Sequence, residues 1–90
     1  MTLGKRLEQA RSLVPGLSAK EVDRLAGLGE GHTRQIETGT KGNPGIKTLA
    51  AAARVLGVSL DWLDRGGKTP SAEEVQRSVD TARRRKGAKS

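Results

Sequence analysis

Arg34 and Gln35, with His32 just before them, are the side chains of this sequence best suited to recognising another molecule. A guanidinium can donate two parallel hydrogen bonds to the O6 and N7 edge of guanine, and a carboxamide can pair with the N6 and N7 edge of adenine. All three lie in GLGEGHTRQIETG, residues 27–39. The stretch reads as a tight turn and then a short helix starting near Gly29 or Glu30, with Thr33 and Ile36 facing inward and Gly39 as its stop. Glu30 repels phosphate but can accept from cytosine N4, and Gly31 lets a backbone come close. Arg34 also follows Glu30 by four residues, so a weak surface ion pair is the competing use of both.

Catalytic chemistry finds little to build on. There is one histidine and no cysteine, so no catalytic residue, metal site or cofactor is expected, and no small-molecule ligand is evident. GLGEG has the glycines of a phosphate loop but neither the preceding strand nor the Gly-Lys-Ser/Thr that should follow. The N-terminus MTLGKRLEQARS is charged and unlike a signal peptide. No apolar run approaches the ~20 residues that span a bilayer. These features fit a cytoplasmic, nucleoid-associated protein without disulfides.

The net charge is +7, and residues 68–90 carry seven Lys/Arg against three Asp/Glu. Such a balance favours polyanions, through attraction and through release of counterions from phosphates. The apolar fraction is 33% with Trp62 the sole aromatic, so a small core of aliphatic side chains on helices is expected.

The elements that must position Arg34 and Gln35 are helices. Leu3, Leu7, Ala10 and Val14 recur at helical spacing after a Thr2 cap, and Pro15-Gly16 ends the run. Ser18 with Glu21 forms a capping box for a second helix, with Val22, Leu25 and Ala26 inward and Gly27 at its end. Ile46, Leu49, Ala50, Ala53 and Leu56 or Val55 mark a fourth helix, and Ser59 caps a fifth, LDWLDR. Ser71 with Glu74 opens another capping box before the thin stripe Val75, Val79, Ala82. Residues 1–67 are expected to form one domain, and 68–90 a basic tail that is either disordered or a sixth helix at 72–85.

Two short helices joined at a glycine fit a helix-turn-helix, at about 18–38. Taken in order, LGKRLEQAR, LSAKEV, Gly27, QIETG, NPGIKTLAAAARVLGVS and LDWLDRG resemble the lambda-repressor-like (Cro/repressor, XRE) family over residues 3–66. The resemblance implies an all-α, five-helix DNA-binding domain and a sequence-specific transcriptional regulator, a repressor and a homodimer on double-stranded DNA. It implies base reading by residues Glu30, Gly31, His32, Arg34 and Gln35. Phosphate contacts are expected from Ser18, Lys20, Lys41, Asn43 and the run Arg83, Arg84, Arg85, Lys86. Arg11 and Glu37 match a structural ion pair of the family. The dimer surfaces to be expected are the 60–65 helix and the Val75, Val79, Ala82 stripe.

Five positions depart from the family. Ala19 replaces a glutamine, Asp23 an inward alanine, and Thr33 a branched aliphatic, while the base-facing positions 30 and 31 hold Glu30 and Gly31. A carboxylate at Asp23, inside a helix–helix contact, needs a hydrogen-bond partner. The alternative function is a protein-interaction module of the same fold, binding an antirepressor, a toxin or polymerase, with weak affinity for DNA.

Overall fold

A computed structural model describes residues 2–40 and 44–88. Lys41 and Asn43, two of the expected phosphate contacts, lie outside the described residues. The chain is all-α, with α1 (Leu3–Ser12), α2 (Ala19–Ala26), α3 (His32–Thr38), α4 (Ile46–Leu56), α5 (Leu60–Arg65) and α6 (Ala72–Ala88).

Short polar caps set most of the starts. The hydroxyls of Thr2, Ser18, Ser59 and Ser71 accept from the backbone N–H three residues on, at 3.0–3.2 Å. Each hydroxyl satisfies a donor that the first helical turn cannot pair internally. At the end of α2, Gly27 takes up the left-handed backbone that turns the chain, and Leu28 N–H reaches back to the Asp23 carbonyl at 2.8 Å.

The core gathers Leu7, Ala10, Val22, Ala52, Leu56 and Leu63, all essentially fully buried, with Trp62 beside them. α3 packs on α1 and α2, α4 on α2, and α5 on α1 and α4. α6 lies across α4 and touches α1 and α2. This is why both Val55 and Leu56 of α4 are buried: the helix is covered on more than one side.

Of the two expectations for residues 68–90, the sixth helix is the one found: the described residues form six helices, with Val75 and Val79 fully buried and Ala82 packed against the core. Three other sequence expectations change. The stripe is therefore used within the chain and is closed to a dimer contact. α3 starts at His32, not at Gly29 or Glu30. Ile46, placed with the inward residues of α4, is 69% exposed, because it is the first helical residue and projects beyond the packed turns.

Gly4 explains how α1 and α3 come so close. A Cβ built there would overlap the carbonyl oxygens of Ile36 and Glu37, at the end of α3. The obstacle is backbone, which cannot rotate away. Gly4→Ala should therefore destabilise the fold by about 1–3 kcal/mol or more, despite the ~0.5–1 kcal/mol that alanine gains in a helix interior. Urea unfolding measures this; an unchanged or higher midpoint would show that the α1–α3 approach is not as tight as described.

Candidate nucleic-acid interface

α3 has seven residues, too few to hold a helix unaided. Its N-cap is Gly31, with φ at 94°, and no side chain within α3 or its cap satisfies the first turn. The missing cap comes from α2. Asp23 Oδ2 accepts from Gly31 N–H at 2.9 Å, and Oδ1 accepts from Thr33 N–H at 2.8 Å and from Thr33 Oγ1 at 2.6 Å. Asp23 is 2% exposed and Thr33 0%. The two departures from family expectation thus meet each other, a carboxylate and a hydroxyl where two apolar groups would pack. The carboxylate also lies at the positive end of the α3 dipole. Because it holds Gly31 N–H and Thr33 N–H together, it fixes the helix start two residues later than the sequence suggests.

The other end of α3 is held from α1. Arg11 Nε and Nη2 donate to Glu37 Oε2 and Oε1 at 2.7 and 3.0 Å, and Nη1 donates to the Leu17 carbonyl at 2.8 Å. The Glu37 side chain is 4% exposed. Hydrogen bonding to Glu37 outweighs desolvation and raises the Arg11 pKa above its ordinary value. A two-pronged pair of this kind fixes orientation as well as charge.

Between these anchors, α3 presents Arg34 and Gln35. Both are exposed, and neither side chain bonds another group among the described residues. Glu30 does not reach Arg34; it lies in the preceding turn, 3.9 Å from Lys20 Nζ, with both side chains over three-quarters exposed. The start of α2 and the turn before α3 therefore meet. His32 is half-buried and its Nδ1 donates to the Gly29 carbonyl at 2.7 Å, which leaves Nε2 as the outer ring nitrogen. Ser18 Oγ is the α2 cap.

The basic run of α6 is not uniform. Arg83 Nε and Nη2 donate to Glu21 Oε2 and Oε1 at 2.8 and 3.0 Å. Arg83, expected on phosphate, is instead a clamp between α6 and α2. Its hydrogen bonds hold the Glu21 carboxyl below its ordinary pKa despite partial burial, and Glu21 raises that of Arg83. Arg84 is exposed and reaches Thr81 Oγ1 at 3.3 Å. Arg85 and Lys86 are exposed and line the groove between α2, α4 and α6.

Sequence reasoning missed Arg6. It is 9% exposed, and its Nε and Nη2 donate to the carbonyls of Leu63 and Asp64 at the end of α5, both at 2.6 Å. The signal was its position, three after Leu3 and one before Leu7, on the buried side of α1.

A model of the helix-turn-helix family, of the XRE or lambda-repressor-like type, matches residues 15–63. The chain belongs to this family. The match takes in α2 to α4 and the first turn of α5, and leaves out α1 and α6. No curated protein and no solved structure matches the chain. The family is one of DNA-binding regulators, typically without enzymatic activity. Among the described residues of this helix-turn-helix protein, no helix is long and apolar enough to cross a membrane.

Removing the Asp23 carboxylate would leave two N–H groups and a hydroxyl without their acceptor. Asp23→Ala should cost roughly 2–5 kcal/mol, since each unsatisfied buried group costs about 1–3 kcal/mol. Amide exchange should speed up first at residues 31–34. A change within about 0.5 kcal/mol, the range of neutral surface substitutions, would exclude Asp23 as the anchor of α3.

The Glu21–Arg83 link gives a pH dependence of definite sign. The folded pKa of Glu21 lies below its ordinary 4.5. The stabilisation is therefore complete above the unfolded value and is lost as pH falls through the folded one. The stability difference between the wild type and Glu21→Gln should be constant near neutrality and narrow below about pH 4.5. A difference independent of pH down to about 3 would exclude the linkage.

Proposed function

We propose that this protein is a sequence-specific transcriptional regulator, a repressor, that reads the major groove of double-stranded DNA with α3. The observation that carries the reading is the pairing of two free side chains, Arg34 and Gln35, with a helix anchored at both ends by buried polar contacts. Base readout needs side chains that are free to pair and a support that does not shift. His32 offers Nε2 from the first turn. Glu30 and Gly31 approach the groove from the turn before the helix rather than from its face.

Phosphate grip falls to Lys20 and Arg84, with Lys41 and Asn43, and Ser18 stands beside Lys20 at the start of α2. One short helix makes a small interface, so useful affinity calls for a two-fold dimer with half-sites ~34 Å apart. With the α6 stripe occupied, the outer face of α5, where Asp61, Asp64 and Arg65 are exposed, is the surface for that dimer. The domain that docks is residues 1–67, with α6 as its outer cover.

Selection of binding sites from random duplexes tests the reading. It should return related sequences with two-fold symmetry. Arg34→Ala and Gln35→Ala should each cost roughly 1–3 kcal/mol on the selected site and little on random DNA. Lys20→Ala and Arg84→Ala should weaken all duplexes alike and lower the salt slope by about 0.9 per lost contact. Glu30→Gln should tighten binding to every sequence if the carboxylate only repels phosphate, and lose preference at one position if it reads cytosine. Unchanged affinity and preference in both the Arg34 and Gln35 variants would overturn the reading.

A further inference from the structure

A groove of about 1010 Å3 runs between the end of α2, the middle of α4 and the length of α6. Its floor is apolar and low: Ala26, Ala51 and Ala82 are partly exposed there, over the buried Leu25 and Val55. Its rim carries Arg54, Arg77, Arg85 and Lys86 against one acid, Glu74. All four cations are exposed, and none of their side chains has an ion pair or hydrogen bond among the described residues. Glu74 already accepts from Ser71 Oγ at 3.0 Å.

Elsewhere Lys5, Lys20, Arg24, Arg65 and Arg83 each stand within 4.0 Å of a carboxylate. The exposed cations without one among the described residues, Arg34, Lys47, Lys68 and Arg84, lie outside this groove, so only here do several gather on one apolar floor. Four unbalanced cations around an apolar floor repel one another unless negative charge comes from outside. α6 cannot fold down to close the groove, because Ser78 Oγ ties it to the Arg54 carbonyl at 3.2 Å and Arg83 ties it to Glu21.

We infer that this groove docks an acidic amphipathic helix of a protein partner, with leucine-like side chains over Ala51 and Ala82 and carboxylates against Arg54, Arg77, Arg85 and Lys86. The combination of an apolar floor and a rim of four cations against one acid selects that occupant. A phosphate backbone would satisfy the rim but has no apolar ridge for the floor. A second copy of this chain does not fit either. Among the described residues its one exposed large apolar side chain is Ile46, and the neighbouring charge is Lys47. No α3 residue lines the groove, so a partner seated there leaves Arg34 and Gln35 free. The inference concerns a surface apart from the one proposed to read DNA and stands independently of that reading.

The test uses the full chain and a helical probe peptide of about 15 residues, the length at which an isolated helix becomes tenable, with leucines at i, i+3, i+4, i+7 and glutamates elsewhere. Binding should shift the methyl resonances of Leu25, Ala51 and Val55 and leave the amides of 32–38 in place. Arg54→Glu with Arg77→Glu should weaken it about tenfold or more; both side chains are exposed and unpaired, so the fold should survive, which circular dichroism checks. Ala51→Glu, on the floor, should weaken it comparably. The same peptide with lysine for glutamate should not bind. Three results would overturn the inference: no binding of the acidic peptide, equal binding of leucine-free polyglutamate, or the same methyl shifts produced by a random DNA duplex.

Discussion

The presented helix of this protein depends on a carboxylate that it does not contain. α3 is seven residues long, has a glycine as its N-cap and no acid in its first turn, so no side chain of its own satisfies its first N–H groups. Asp23 does so from α2, accepting three hydrogen bonds. Burying a charge is costly unless every lone pair is used well, and no buried side-chain polar atom among the described residues lacks a partner. Directional bonds also do what an apolar contact cannot. An alanine against a branched aliphatic would make a non-directional contact, whereas two backbone N–H groups and a hydroxyl fixed on one carboxylate define where the helix begins.

α1 performs the complementary task. Gly4 admits the end of α3, Arg6 holds the last carbonyls of α5, and Arg11 holds Glu37. The two cations work differently. Arg6 sits at the negative end of the α5 dipole and satisfies carbonyls that a helix terminus leaves open. Arg11 neutralises a buried carboxylate and in addition caps the Leu17 carbonyl in the loop before α2. One helix therefore sets α3 relative to α5, so in the proposed dimer the separation of the two reading helices would be transmitted through α1 rather than through the core alone.

Caps, stops and periodicity made most of the helices legible: Thr2, Ser18, Ser59 and Ser71 stand where helices begin, and Gly27 and Gly39 where they end. What stayed hidden were consequences of contacts distant in sequence. The start of α3 could not be placed because its cap comes from another helix. Whether residues 68–90 would be disordered or form a sixth helix stayed open because the stripe is narrow; in the fold Val75 and Val79 are fully buried, and Glu21 of α2 supplies a further anchor through Arg83. Glu21 was legible as half of a capping box, yet the partner of its carboxylate lies 62 positions away. Of the candidate site, Arg34 and Gln35 stand exposed on α3 and Arg11 meets Glu37, whereas Glu30 and Gly31 lie outside the helix that was to carry them. Ile46 misled because the first residue of a helix follows its periodicity without sharing its burial.

The net positive charge of residues 68–90 reads, as composition, like one basic tail, and the fold divides it into parts with different roles. Arg83 is balanced by Glu21 and belongs to the scaffold. Arg84 stays exposed on α6. Arg85 and Lys86 join Arg54 and Arg77 around an apolar groove. An ordered helix makes this division possible, because successive side chains leave a helix in different directions, about 100° apart. In a disordered tail the four cations would act together as a diffuse charge, interchangeable and responsive only to ionic strength. On a packed helix each has a fixed neighbourhood, so a single basic run can close an interhelical contact, face solvent and rim a groove without any one role competing for the others' residues.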